Sequence, residues 1–232
     1  MDVRRSVADP AFDASVNVLG FLNLMEAARE SGVKKVLFAS TGGAIYGEPE
    51  GEGPQDEDHT LQPLSPYGIT KLVTEKYLYF YRETYGISYV ALRYANVYGP
   101  RQNPHGEAGV VAIFAGRLLA GDACTIFGDG GQTRDFVFVD DVVDAFVRAA
   151  ERGGGLLMNV GTGAETSVND LYASIAGQAG SSLPAAYAPP RPGELARSAL
   201  DPGRAAIHLG WKPWTTLDEG CRATLDWFRS RT

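Results

Sequence analysis

Helical stretches and short buried strands alternate along this chain, and that alternation predicts an α/β fold built on a mostly parallel sheet. Three observations carry the prediction. Runs of strand length such as Val36-Leu37-Phe38 are apolar throughout, as in a strand covered by helices on both faces. Stretches of helical period stand between such runs. Glycines and capping residues punctuate the two in turn.

Taken in order, Phe12 to Arg29 repeats Val16, Leu19, Asn23 and Ala27 on one face and stops near Gly32, which predicts a helix. Val33 to Ala39 is a strand. A polar loop rich in Gly and Pro, Gly47 to Pro66, leads to an aromatic-rich helix from about Tyr67 to Tyr85, closed by Gly86, and then to a strand at Ile87 to Leu92. Next come a helix at Val110 to Leu119, a strand at Thr125 to Phe127, the turn Asp129-Gly130-Gly131 and a strand at Phe136 to Val139. Asp140 is expected to cap a helix lasting to Arg152. Gly153-Gly154-Gly155 breaks it, Leu156 to Val160 forms a strand, and Ser167 caps a helix holding Val168, Leu171 and Ile175. Pro184, Pro189, Pro190 and Pro192 keep Gly180 to Gly193 from being regular helix or central strand. Leu217 to Arg229 is a last amphipathic helix, and no internal repeat is present.

The chain has 232 residues, 44% hydrophobic and 21% charged, which is enough to bury a sizeable core. Its net charge of −7, with cations dispersed, argues against nucleic acid or an anionic membrane as partner. A polyanionic ligand must be met by a few local arginines. Cys124 and Cys221 are far apart and have no metal spacing, so a reducing cytoplasm is expected and no metal site is. No apolar run reaches the roughly 20 residues that span a bilayer. The start, Met1-Asp2-Val3-Arg4-Arg5, lacks a secretion signal. His59, His105 and His208 form no metal set.

Tyr67 and Lys71 stand four residues apart at a helix start and project from one face. An acid/base tyrosine needs such a neighbour, because an ammonium stabilises the phenolate and lowers a pKa otherwise near 10. Upstream, Ser40-Thr41-Gly42-Gly43 puts two hydroxyls at the carboxyl end of a buried strand, where open α/β sheets bind ligands. Such a hydroxyl can share a substrate proton with Tyr67; for Ser40 a turn that satisfies backbone groups explains it equally well.

Three ordered motifs then make a resemblance specific: Phe38-Ala39-Ser40-Thr41-Gly42-Gly43-Ala44-Ile45-Tyr46-Gly47, Ser65-Pro66-Tyr67-Gly68-Ile69-Thr70-Lys71 and Leu92-Arg93-Tyr94-Ala95-Asn96-Val97-Tyr98-Gly99-Pro100-Arg101-Gln102. Together with Asp129-Gly130-Gly131-Gln132-Thr133-Arg134-Asp135-Phe136 and Arg191-Pro192-Gly193-Glu194, they resemble the extended short-chain dehydrogenase/reductases of the NAD-dependent epimerase/dehydratase family, the UDP-glucose 4-epimerase group in particular. The likeness covers nearly the whole chain.

The resemblance implies a Rossmann-like, doubly wound parallel sheet with a small C-terminal substrate-binding lobe. Residues 1–100 would be the later part of the dinucleotide-binding domain, and 101–232 a nucleotide-sugar lobe interleaved with the last Rossmann strands near 136–160. It implies NAD as cofactor, a UDP-sugar as substrate and a homodimer paired through the two long helices. Thr41, Tyr67 and Lys71 align with the catalytic hydroxyl, the acid/base and the residue that tunes it and holds the nicotinamide ribose. Ser40, Tyr94 and Asn17 fall on the cofactor side of the site. Asn96 would face the sugar diphosphate, Arg134 and Arg191 would bind phosphate, Glu194 a ribose hydroxyl, and Phe127 the nucleobase. Ser198 falls near the position that limits bulk at the hexose 2-substituent, which leaves room for N-acetylated sugars. The implied reaction is reversible oxidation at the hexose 4-position, with the remote nucleotide held while the hexose turns.

The sequence departs from the family pattern at its start. No Gly-x-x-Gly-x-x-Gly turn is present, and Met1 to Val7 resembles the segment just after the fourth strand, so about three or four strands, roughly 80 residues, would be missing from a doubly wound sheet. Gly161-Thr162-Gly163 lacks the third glycine and is expected to be an ordinary strand-to-helix turn. Without the first strands the sheet should expose an edge and apolar faces. Two alternatives stand beside the epimerase. A 4,6-dehydratase or decarboxylase needs an acidic residue just after the catalytic threonine, and Gly42-Gly43-Ala44 supplies none. A nucleotide-sugar-binding remnant without an NAD site is the other.

Overall fold

The computed structural model describes residues 3–49, 51–104, 109–191 and 193–231. His105 and Pro192 lie outside them. In chain order the elements are α1 (Val3–Ala8), α2 (Pro10–Ala14), a π-helical turn (Ser15–Leu19), α3 (Gly20–Glu30), β1 (Lys35–Thr41), α4 (Pro66–Tyr85), β2 (Ser88–Tyr94) and β3 (Asn96–Tyr98). There follow α5 (Val110–Leu119), β4 (Thr125–Phe127), β5 (Thr133–Arg134), β6 (Phe136–Phe138), α6 (Val139–Glu151), β7 (Leu156–Val160), β8 (Thr166–Ser167), α7 (Val168–Ala179), β9 (Ala186–Ala188), α8 (Gly203–Leu209) and α9 (Leu217–Arg229).

The central sheet is parallel, in the order β1-β2-β7. Its middle strand is apolar throughout because both faces are covered. Tyr89 and Ala91 meet Phe21, Met25, Leu78 and Tyr81 from α3 and α4 on one side, while Val90 and Leu92 meet Val142, Ala145 and Ala149 of α6, with Leu209 and Trp211, on the other. Among the described residues β1 pairs only with β2, and every β1 residue but Ser40 retains some exposure, as an edge strand does. Lys35 at its start reaches across to the end of α6, where its ammonium donates to the carbonyls of Ala150 and Arg152 at 3.0 and 2.8 Å.

A second core joins α5, α7 and α9 to Tyr98, Phe136 and Phe138. Short pairings tie this lobe to the sheet: β3 with β6, and β4 with β9, both parallel. Thr216 and Glu219 form a reciprocal capping box that starts α9.

Several expectations change. The first long helix runs from Pro10 to Glu30 with a π-turn in its middle, preceded by the separate α1. The extra residue in that turn rotates the helix. Val16, Leu19, Asn23 and Ala27 therefore face outward, and Phe21 and Met25 are the buried pair. Asp140 lies inside the first turn of α6 rather than capping it, since Val139 is already helical. The proline-rich segment holds β9, a three-residue strand at a sheet edge, where Pro is tolerated just outside it. Cys124 and Cys221 are buried free thiols. Among the described residues no cluster of metal-ligating side chains occurs, and no helix is long and apolar enough to cross a membrane.

Candidate active site and substrate cleft

Tyr67 owes its place to the start of α4. Ser65 caps the helix, its hydroxyl accepting from the Gly68 amide at 3.1 Å, and Pro66 occupies the first helical position, where its missing N–H costs nothing. Gly68 allows the first turn to press against the loop after β1, since a Cβ there would fall well inside contact distance of the Ala44 carbonyl oxygen. The Tyr67 amide donates to Ser6 Oγ of α1 at 3.2 Å. Helix, loop and α1 thus converge around the phenol.

Lys71, one turn later, sends its ammonium to the Ala39 carbonyl of β1 at 2.8 Å. There it lies 4.6 Å from the Phe38 ring centroid and 5.8 Å from that of Tyr67. Thr41 ends β1 two residues beyond Ala39, in register with Tyr94 at the end of β2. Asn17, in the π-turn, donates to Asp13 at 2.8 Å and to Thr70 Oγ1 at 3.4 Å. Thr70 also donates to the fully buried Asp13 carboxylate, at 2.8 Å.

The electrostatics differ from the expectation of a phenol lowered by its lysine. Burial raises the Tyr67 pKa, and the Asp13 carboxylate adds to the rise. Burial lowers the Lys71 ammonium, against the opposite pull of Asp13 and Glu75. In this arrangement the desolvation of each group outweighs their mutual stabilisation.

Glu75, one further turn along α4, was not singled out by sequence. It forms a buried bidentate pair with Arg93 of β2 (3.0 and 2.6 Å), and Ser40 Oγ donates to it at 2.7 Å. The Ser40 hydroxyl is thereby turned into the core, 3% exposed, and its geometry does not fit the cofactor contact expected of it. Arg93 also donates to Tyr46 Oη (2.9 Å), which donates to Asn159 (2.8 Å). The pair locks α4 to the strand ends on which Thr41 and Tyr94 stand. Its sequence signal was the (i, i+4) spacing of Lys71 and Glu75, but the partner is eighteen residues away.

The substrate side forms a continuous cleft. A cavity of about 230 Å³ is lined by Asn96, Phe127, Arg134, Arg191 and Glu194 together with apolar residues of α5. A second cavity, of about 600 Å³, runs past Gly43, Ala44 and Ser65, the loop after Thr41 and the cap of the Tyr67 helix. Arg4, Arg134 and Glu194 line both. Arg134 donates to Glu194 at 3.3 Å, and Arg191 lies over the Phe127 ring. Ser198 is buried and lines neither cavity; its carbonyl accepts from the Asp135 amide.

Gly161-Thr162-Gly163 follows β7, and its amides are already satisfied. The buried Asp135 carboxylate accepts from the Thr162 amide (2.9 and 3.0 Å), the Thr162 hydroxyl (2.6 Å), the Gly163 amide (3.1 Å) and the Leu200 amide (3.2 Å). The turn has no donor left for a phosphate.

The sequence profile of the NAD-dependent epimerase/dehydratase family matches residues 1–161. The chain belongs to this family. Among family members, a UDP-glucose 4-epimerase of Mycolicibacterium smegmatis is 53% identical over 233 residues, taking in 100% of this chain and 74% of that protein. A putative UDP-glucose 4-epimerase of Methanocaldococcus jannaschii is 47% identical, over 99% of this chain and 74% of its own length. The crystal structure of a Thermotoga maritima UDP-glucose 4-epimerase with UDP-glucose superposes with a TM-score of 0.97 at 49% identity, covering 99% of this chain and 74% of that one. A Thermus thermophilus UDP-glucose 4-epimerase in complex with NAD gives 0.93 at 48%, covering 100% and 75%. The epimerase/dehydratase fold expected from the sequence is therefore the fold observed, and this chain spans about three quarters of the length of these relatives.

Proposed function

We propose that the chain carries the acid/base pair and the sugar-nucleotide cleft of a nucleotide-sugar 4-epimerase, with UDP-glucose and UDP-galactose as its substrate pair. The observation that carries this reading is the single cleft that leads from Phe127, past Arg134 and Glu194, to the loop behind Thr41 and the cap of the Tyr67 helix. An aromatic face, paired guanidinium groups and a carboxylate in that order suit a base, a diphosphate and a ribose. The relatives at 47 and 53% identity support the same substrate.

For NAD the fit is one-sided. The Lys71 ammonium beside β1, the Tyr67 phenol, Tyr94 and Asn17 offer groups suited to a ribose and nicotinamide. Among the described residues no backbone cradle is offered to the pyrophosphate, because Asp135 takes the amides of the one glycine turn that ends a sheet strand. Bound NAD would supply the acceptor and donor of the C4 hydrogen. The chain's own part is the proton and the grip. Tyr67, kept protonated at neutral pH by burial, gives or takes the proton at O4, and Thr41 shares it. The Lys71 ammonium stabilises the phenolate when it forms. Arg134 and Arg191 hold the diphosphate while the hexose turns. The absence of an acidic residue in Gly42-Gly43-Ala44 disfavours dehydration.

Two finer statements go with this reading. Phe12, Val16, Leu19 and Leu24 on the first helices, and Ile69, Tyr79 and Phe80 on α4, expose apolar surface suited to pairing with a second copy. The free thiols suit the cytoplasm.

One specific observation favours a second reading, a sugar-nucleotide-binding chain that does not hold NAD alone: the missing pyrophosphate cradle. Calorimetric titration of the purified chain separates the cases. Binding of UDP-glucose is expected. Absence of any UDP or UDP-glucose binding overturns the proposed substrate class, and tight NAD binding removes the second reading.

A further inference from the structure

Arg4, on α1, is one of three residues that line both cavities of the cleft; the others are Arg134 and Glu194. Two residues further on, Ser6 Oγ accepts from the Tyr67 amide at 3.2 Å, which fixes α1 against the start of the catalytic helix. Arg4 therefore stands at the joint where the nucleotide end of the cleft opens toward Gly43, Ala44 and Ser65.

Charge complementarity says what belongs at that joint. Arg134 is paired with Glu194 at 3.3 Å, so the two together bring no net charge. Arg191 brings one positive charge, lying 4.0 Å over the Phe127 ring at the base end. A sugar diphosphate carries two negative charges. Arg117 also lines the nucleotide cavity, but its Nε is spent on the Ala123 carbonyl at 2.8 Å and it does not reach the second cavity. With Arg134 and Glu194 cancelling, a second cation is required where the distal phosphate meets the hexose, and Arg4 is the cation at that place.

We propose that Arg4 is a substrate-binding residue that contacts the sugar-bearing phosphate of the nucleotide diphosphate, completing a set with Arg134 and Arg191. The assignment rests on the reading of the cleft as a sugar-nucleotide site. It makes α1 part of the substrate cleft, and it couples substrate grip to the Tyr67 helix through Ser6.

The test is calorimetric titration of the full chain, wild type, Arg4→Gln and Arg4→Lys, with UDP and with UMP. UMP has the base, ribose and first phosphate but lacks the distal one. Loss of one charge-assisted phosphate contact is expected to weaken UDP binding in Arg4→Gln by about tenfold or more, with UMP changed by less than about twofold. Arg4→Lys should recover part of the loss, and circular dichroism checks that both variants keep the wild-type fold. Equal weakening of UMP and UDP, or no weakening of either, overturns the role of Arg4 while leaving the cleft intact. Failure of the wild type to bind UDP overturns the cleft reading as well.

Discussion

The Arg191 guanidinium lies 4.0 Å from the centroid of the Phe127 ring, a cation over an aromatic face at the mouth of the cleft. The same face is what a nucleobase would stack on. Arg191 and the base are then neighbours on one platform, the cation serving the phosphate and the ring serving the base.

Phe127→Ala is accordingly predicted to weaken UDP binding by about 1–3 kcal/mol, roughly ten- to a hundredfold, and Phe127→Tyr to preserve it. Phe127 is only half-buried, so thermal unfolding of the alanine variant should stay close to wild type. Isothermal titration and a melting curve on the same samples check both halves of the statement.

The Glu75–Arg93 pair is 1% exposed on both sides and also serves Ser40 and Tyr46. Glu75→Ala leaves the guanidinium unpaired in the core and should cost about 3–5 kcal/mol in urea unfolding. Glu75→Leu combined with Arg93→Met should recover a large part of that. A double variant as damaged as the two single changes summed would contradict the view that the unpaired charge is the cost.

Asp135 is predicted to be structural. Its carboxylate holds the Thr162 and Gly163 amides, so Asp135→Ala should destabilise the fold by about 2–4 kcal/mol, and Asp135→Asn by less. Phosphate or pyrophosphate should not protect the wild type against thermal unfolding through this turn. Protection that persists in Arg134→Ala and disappears in Asp135→Ala would reverse the assignment.

Burial pushes the Tyr46 phenol up to about 12 from an ordinary value of 10.0, in spite of the stabilising Arg93 beside it. A phenol whose folded pKa is raised contributes stability that is whole below its unfolded value and is lost as pH rises toward the folded one. Stability should therefore fall between about pH 10 and pH 12, with burial pushing Tyr94 and Tyr98 in the same direction. Urea midpoints at pH 9, 10 and 11 measure it; a midpoint constant across that range would show that these phenols are not held neutral by the fold.

Local pattern was enough for most of the fold. Val110–Leu119, Thr125–Phe127, Leu156–Val160 and Leu217–Arg229 stand where apolar period and capping residues put them. The outward face of the first helix was misread because a π-turn changes the residue count per turn, and nothing in the residues Ser15 to Leu19 announces it. In the site, Tyr67 and Lys71 were legible from their spacing. Phe127, Arg134, Arg191 and Glu194 emerged only through resemblance, since the cleft joins elements far apart in sequence. Asp13, Glu75 and Arg4 were not legible. A buried carboxylate and a surface arginine look alike in sequence, and only the packing of α1, α2 and α4 tells them apart.

The most direct measurement is a crystal structure of the chain with UDP-glucose. The base should stack on Phe127, the diphosphate should lie against Arg134, Arg191 and Arg4, and the hexose 4-hydroxyl should stand within hydrogen-bond reach of Tyr67 Oη and Thr41 Oγ1. Density for the ligand outside this cleft, or a hexose pointing away from Tyr67 and Thr41, would contradict the assignment of these residues to sugar-nucleotide chemistry.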